Sequence, residues 1–201
     1  MSEARIGRVL VASLHQAIAD VLPMRLEFYE NWLNSSGLRE GTIGLAPLSA
    51  VLSFLRQEGP AYEEITRKAG TYAAEWTVRS LPAFERRLIS VLPTTLRGRA
   101  ALRVGRMLVH NTYPGSRALM RIKKTDASVD LRGSLFCEVR EASALPLCGF
   151  YAAALERVLQ LFAIEVQMQV LECRASGPRK GCTFAIALSP TAAVEVPEHV
   201  A

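Results

Sequence analysis

The chain has 201 residues, of which 50% are hydrophobic and 21% are charged, and its formal net charge is +5. These proportions exclude a disordered, collagenous or low-complexity protein, and the length predicts one globular domain or at most two small ones. The densest group of cations contains no interleaved aromatic residue, so we expect a solvated helix face there and no nucleic-acid partner. That group consists of Arg97, Arg99, Arg103 and Arg106.

The first 113 residues are predicted to be mainly helical. Apolar residues recur at three- and four-residue spacing over residues 6–21, and again in RLEFYENWL after Pro23. A further helix is predicted to open at Pro47, and another to run from Pro60 up to Pro82. The same spacing predicts helices in FERRLISVL and LRGRAALRVGRMLVHNTY, the second of which ends before a Pro-Gly turn.

No segment is predicted to cross a membrane. The longest uncharged apolar-rich run, residues 143–155, is too short to span a bilayer, and the N-terminal apolar stripe is interrupted by charges, unlike a signal peptide. Four cysteines without a secretory signal favour thiols or metal ligands over disulfides. We therefore expect a cytoplasmic protein.

After the helical part, apolar residues recur at every second position. The segment ASVDLRGSLFCEV, residues 127–139, is predicted to be one long strand with Cys137 on its apolar face and Phe136 on its polar face. SRALMRIKK is its predicted hairpin partner, LCGFYAAALERVLQLF a helix, and EVQMQVLEC and CTFAIAL two further strands. This order predicts an α+β fold, with N-terminal helices and a four-stranded antiparallel sheet that includes a crossover helix.

Three segments in the last third of the chain resemble the 4-vinyl reductase-like domain family. They are the strand GSLFCEVRE, the Leu-Pro-Leu-Cys148 sequence before a helix of small residues, and the closing hairpin VLECRASGPRKGCTFAI. Through this family the chain is similar to TRAPP vesicle-tethering subunits and to the sensor domains of phenol-responsive transcription activators. The resemblance implies a domain over residues 60–201, preceded by an N-terminal helical extension over residues 1–59 in one compact unit.

The same resemblance implies a structural zinc site. In the sensor branch of the family, three cysteines hold the metal together with one acidic residue, and the matching cysteines here are Cys148, Cys173 and Cys182. The position of the acid is Val170 here, while Glu172 is predicted to point to the opposite face of its strand, so the fourth ligand would require a bulge, a water or another residue. Free, partly buried thiols are the alternative, and Cys137 is expected to be an ordinary core residue.

A binding site for a small hydrophobic ligand would need an apolar pocket with a few polar groups. The candidate lining residues come from the late helices, the long strand and the helix after Cys148, and they are Tyr72, Trp76, His110, Phe136, Phe150 and Tyr151. A dimer contact explains Phe136 equally well, and His110 is as well suited to cap a helix end. For the other four residues, ordinary core packing is the alternative.

These features predict a binding or sensor domain for a small hydrophobic ligand, acting through a homodimer and protein partners. The sequence contains no glycine-rich phosphate-binding motif and no recognisable catalytic triad, so an enzyme is not favoured. The resemblance leaves two alternatives open. One is an accessory protein or 4-vinyl reductase of tetrapyrrole and bacteriochlorophyll synthesis, and the other is a TRAPP-like scaffold.

Overall fold

The computed structural model describes residues 6–33, 44–122, 127–139 and 141–188. Within these ranges there are seven α-helices: α1 (Arg8–Val21), α2 (Leu26–Leu33), α3 (Leu45–Gln57), α4 (Pro60–Ser80), α5 (Ala83–Val91), α6 (Thr94–Thr112) and α7 (Gly149–Leu161). The strands are β1 (Arg117–Ile122), β2 (Ala127–Arg132), β3 (Val166–Glu172) and β4 (Gly181–Leu188). The predicted α+β class with a four-stranded sheet is confirmed.

Prolines set the ends of the central helix. Pro60 occupies the first turn of α4, where its missing N–H has no intrahelical partner to lose, and Pro82 follows the last residues of the helix. The helix buries one face, and Gly70 on that face lies against α7. A Cβ at Gly70 would lie 2.2 Å from the Phe150 carbonyl oxygen, so only glycine allows the two helices to pack this closely.

The sheet is antiparallel throughout and has the order β1-β2-β4-β3. Strands β2 and β4 are central, and β1 and β3 form the edges. Helix α7 connects β2 to β3 and packs between α4 and the sheet. Because β4 runs antiparallel to both of its neighbours, the ends of β2 and β3 lie beside the start of β4, at the same end of the sheet.

Helix α1 packs against α4 and contributes Leu10, Leu14 and Ile18 to the same hydrophobic core as the sheet. The boundary between residues 59 and 60 stays a prediction. Among the described helices, none is by itself long and apolar enough to span a membrane. Only α1 taken together with Pro23–Leu33 meets both criteria, and these two segments are bent by 119°.

The prediction of one long strand over residues 127–139 is wrong. Strand β2 ends at Arg132, and Gly133 turns the chain with a φ of 69°, which favours glycine. A Cβ at Gly133 would also lie 2.1 Å from the Gly115 carbonyl oxygen. The chain then forms a 3₁₀ turn over Leu135–Cys137, which buries both Phe136 and Cys137.

Candidate metal centre and aromatic core

Four cysteines from four different parts of the chain meet at one end of the sheet. Cys137 ends the 3₁₀ turn after β2, and Cys148 immediately precedes α7. Cys173 follows β3, and Cys182 is the second residue of β4. Because antiparallel neighbours begin where their partners end, the topology brings these four positions together. We call this group the cysteine cluster.

The sulfur atoms of the cysteine cluster all lie within 4.8 Å of one another. Cys137 Sγ is 3.5 Å from both Cys173 Sγ and Cys182 Sγ, and the last two are 4.0 Å apart. A disulfide would need about 2.05 Å between sulfurs, so all four cysteines are free thiols. Each has an exposed fraction of 4% or less.

These distances fit a tetrahedral metal site. Zinc binds thiolate sulfur at about 2.3 Å, so the corners of a regular ZnS₄ tetrahedron are about 3.8 Å apart. The three distances given above fall on both sides of that value. Four cysteine sulfurs at this spacing are the donor set typical of zinc or iron–sulfur centres.

Further polar groups point at the sulfurs. The Leu147 N–H donates to Cys173 Sγ at 3.4 Å, and the Arg174 N–H donates to Cys182 Sγ at 3.5 Å. The Ser134 hydroxyl donates to Cys137 Sγ at 3.4 Å. Donors of this kind stabilise negative charge on thiolates and orient metal ligands. The surroundings of the cluster therefore suit ionised sulfur.

The four thiols influence one another's ionisation. Hydrogen bonds from Cys137, and then from Cys148 and Cys182, hold the pKa of Cys173 well below its ordinary value. The hydrogen bond with Cys137, followed by those with Cys173 and Cys182 and by burial, raises the pKa of Cys148 far above its ordinary value. These hydrogen bonds therefore favour a thiolate at Cys173 and oppose one at Cys148. A cation is needed before all four can ionise.

The cluster contains the three predicted cysteines, and its fourth member corrects the expectation for Cys137. Cys137, expected to be ordinary core, supplies the remaining sulfur. Val170 packs against the core, and the Glu172 carboxylate pairs with Arg179 at 2.8 Å rather than with the cysteines. A register shift does occur between Val170 and Glu172, but it does not make Glu172 a member of the cluster.

Three of the predicted ligand-binding residues meet beside the cysteine cluster. Phe136 and Phe150 stack with ring centroids 4.8 Å apart, and Tyr151 packs edge-on against them at 5.7 and 5.1 Å. We call these three residues the aromatic cluster. The Tyr151 hydroxyl lies 3.0 Å from Ser116 Oγ and 3.4 Å from Thr112 Oγ1, and burial raises the pKa of Tyr151.

The position of Phe136 is incompatible with the dimer contact that the sequence suggested for it. Its side chain has no exposed surface, so it does not lie on a polar strand face and does not form a surface dimer contact. The sequence suggested a polar strand face at Phe136 because the apolar alternation continues past Gly133. The strand itself ends at Arg132.

The other three predicted residues lie elsewhere. Tyr72 and Trp76 stack at 5.8 Å on a partly exposed part of α4, where the Tyr72 hydroxyl donates to the Asp20 carboxylate of α1. His110 is exposed near the end of α6. The structure therefore brings Phe136, Phe150 and Tyr151 together but not the six residues as one group.

Comparisons with known proteins support the fold. No family model matches the sequence, and no curated protein does. Among solved structures, the phenol-responsive sensory domain of the transcription activator PoxR with phenol is 15% identical, with a TM-score of 0.50. The similarity covers 72% of this chain and 74% of that one.

Two H-NOX structures are similar over more of the chain. An unliganded Fe(II) H-NOX protein from K. algicida is 12% identical, covers 93% of this chain and 98% of its own, and has a TM-score of 0.58. An H-NOX protein from S. oneidensis in the Fe(II)NO state is 11% identical, covers 92% and 100%, and has a TM-score of 0.55. At these identities the comparisons show that the chain shares its fold with a phenol-responsive sensory domain and with H-NOX proteins.

Proposed function

We propose that this chain is a small-ligand sensor domain of the 4-vinyl reductase-like type, held together by a structural zinc and acting as a homodimer on a protein partner. The observation that carries the proposal is the direct junction of two clusters. Phe136 precedes Cys137 in the chain, and Phe150 and Tyr151 follow Cys148 within one turn. Groups that would bind metal therefore fix the groups that would meet a ligand.

Four sulfurs suit either zinc or iron, and the family resemblance favours zinc. Four thiolates in tetrahedral positions leave no open coordination site, which is typical of structural rather than catalytic zinc. Such a centre would carry a charge of about −2, because four thiolates outweigh one Zn²⁺. Arg56 supplies positive charge nearby, since its Nη2 donates to the Phe136 carbonyl at 3.1 Å, one residue from Cys137. Its Nε is buried without a partner among the described residues.

A small aromatic molecule is the ligand class that the aromatic cluster favours. The two phenylalanine rings offer a stacking surface, and the Tyr151 hydroxyl offers a hydrogen bond to a polar substituent. The three rings already contact one another, so a ligand would enter by displacing Phe136 or Phe150. Displacement would shift the segments that carry Cys137 and Cys148, and Cys137 Sγ directly contacts Cys173 after β3 and Cys182 in β4.

Metal analysis combined with native mass spectrometry tests the zinc part of the proposal. We expect one zinc per chain in the purified protein and loss of that zinc on denaturation. The same spectra report whether the protein is a dimer. Iron in place of zinc would contradict the assignment of the metal. A chain purified without metal would contradict the zinc site and favour the alternative of four free, buried thiols.

Calorimetric titration with phenol tests the ligand part. We expect saturable binding by the native protein and about fivefold to tenfold weaker binding by Tyr151→Phe, because this variant removes one buried hydrogen-bonding group. Tyr72→Phe is the matched control, since it removes a tyrosine hydroxyl from the partly exposed α1–α4 contact. If Tyr72→Phe weakens binding instead, the ligand site is on the surface of α4. If phenol and related small aromatics do not bind, the sensor function is contradicted.

The other interpretations remain predictions. These are the role in tetrapyrrole or bacteriochlorophyll synthesis, the 4-vinyl reductase activity, the TRAPP-like scaffold and the cytoplasmic location. No contact described above favours one of them over the sensor function.

A further inference from the structure

We propose that a basic groove between α6 and the free edge of β1 binds an acidic, extended segment of a partner protein, which adds to the sheet as a fifth strand. The groove has a volume of about 770 Å³. Its cationic lining residues are Arg103 and Arg106 of α6 and Arg117 and Arg121 of β1. A second depression beside it adds Arg99. We call this surface the arginine groove, and the inference does not rest on the metal or ligand proposals.

The arginine groove lies in a segment of the chain without acids. Between Glu85 and Asp126 the sequence contains ten Arg and Lys residues and no Asp or Glu. The rest of the chain has fourteen cations against nineteen acids and a net charge of −5. The excess positive charge of the protein is therefore concentrated in this one segment, and it favours an anionic partner there.

The five arginines of the groove are not used to hold the fold together. None of them forms an ion pair or hydrogen bond with the residues that the structure describes. Arg157, in contrast, donates from Nε and Nη2 to Glu75 Oε1 at 2.9 and 2.6 Å. Arg99, Arg103 and Arg106 are exposed, and their spacing places them on one side of α6. These guanidinium groups are available to carboxylates of a partner.

The backbone beside these arginines is a sheet edge. Strand β1 pairs with β2, and no described strand pairs with its other side. Arg117, Leu119 and Arg121 alternate along β1 with exposed side chains, and Leu119 is 46% exposed. An added strand would place its own alternate side chains opposite this row. A segment that alternates acidic and apolar residues would match it, with main-chain hydrogen bonds supplying affinity.

Two other occupants fit the groove less well. No Phe, Tyr or Trp is among the described lining residues, so the stacking platform typical of single-stranded nucleic-acid sites is missing. Edge-to-edge pairing of two copies through β1 would bring like charges together, because each edge carries Arg117 and Arg121. An acidic, extended peptide can pair its carboxylates with the arginines and its main chain with the free edge of β1.

Fluorescence anisotropy with the full chain tests the proposal. The probe is a labelled eight-residue peptide that alternates Glu and Val, and the comparison peptides are its Lys-Val counterpart and an N-methylated version with the same charge. We expect saturable binding of the Glu-Val peptide that weakens with salt, and at least tenfold weaker binding of each comparison peptide. The double variant Arg103→Glu/Arg106→Glu is expected to bind the Glu-Val peptide at least tenfold more weakly.

The matched control is Arg86→Glu/Arg87→Glu, which makes the same charge change in the acid-free segment but on α5. We expect it to retain at least half of the affinity. Circular dichroism checks that each variant is folded, and Arg103→Gln/Arg106→Gln replaces the charge reversal if that variant unfolds.

Four results would overturn the proposal. The first is an equal loss of affinity in the α5 control, and the second is equal binding of the N-methylated peptide. The third is tighter binding of a labelled single-stranded oligonucleotide, which would assign the groove to nucleic acid. The fourth is at least tenfold tighter peptide binding by Glu195→Lys/Glu198→Lys, which would assign the groove to the chain's own C-terminal residues.

Discussion

The cysteine cluster and the arginine groove involve the same sheet, and neither forms an ion pair with the residues that the structure describes. The cluster gathers four thiols that have almost no exposed surface, whereas the groove gathers exposed guanidinium groups. Water screens and solvates the groove, so it is stable when empty. Burial denies the cluster that solvation, so four ionised sulfurs together require a bound cation. The first site is therefore suited to permanent metal binding and the second to a reversible partner.

The largest expected effect comes from removing a sulfur. We predict that Cys137→Ser, Cys148→Ser, Cys173→Ser and Cys182→Ser each lower the free energy of unfolding by about 3 kcal/mol or more, because each breaks the same metal site. For a chain of this size, that corresponds to roughly 6–12 °C in the melting temperature. Thermal unfolding of the native protein and of each variant, with zinc present, measures the change in melting temperature. A small effect for Cys137→Ser alone would show that Cys137 is an ordinary core residue and not a metal ligand.

Two glycines provide a comparison of intermediate size. Gly133→Ala places a Cβ against the Gly115 carbonyl at a φ of 69° and should lower the free energy of unfolding by about 2 kcal/mol or more. Gly98→Ala in α6 meets only Ile164 Cδ1 at 3.8 Å and should raise it by about 0.5–1 kcal/mol. Urea unfolding of both variants measures whether the free energy of unfolding falls for Gly133→Ala and rises for Gly98→Ala. A neutral Gly133→Ala would contradict the turn that brings Cys137 into the cluster.

Two arginines provide the smallest effects. Arg157→Gln breaks the contact with Glu75 between α7 and α4 and should lower the free energy of unfolding by about 0.5–1 kcal/mol at low salt. Arg103→Gln removes an arginine without an ion pair among the described residues and should change it by less than about 0.5 kcal/mol. The difference should shrink in high salt, because exposed ion pairs are screened. Equal losses in both variants would show that the groove arginines contribute to the fold.

Local signals were enough to predict most of the elements. Pro60 and Pro82 bracket α4 because proline is tolerated in the first turn of a helix and cannot continue one. The period of two identified β1, β3 and β4 because each presents one face to the core. The family resemblance supplied three members of the cysteine cluster.

Phe136 and Cys137 show where the pattern failed. The apolar alternation of residues 127–139 continues across Gly133, so periodicity alone extends the strand by seven residues beyond its true end. A lone glycine inside a strand pattern, here followed by Ser134, was the signal that could have indicated a bend. The close approach of the Gly115 backbone, which makes that glycine necessary, comes from a distant part of the chain.

By itself, the sequence determined the α+β class, the helix ends set by proline, and the presence of four cysteines without compact metal-binding spacing. These properties depend on neighbouring residues and on composition. Tertiary structure alone decided that Cys137 joins Cys148, Cys173 and Cys182, and that arginines of α6 and of β1 line the same groove. Both arrangements join residues that are far apart in the chain. Their distances are set by strand order and helix packing, which no local pattern encodes.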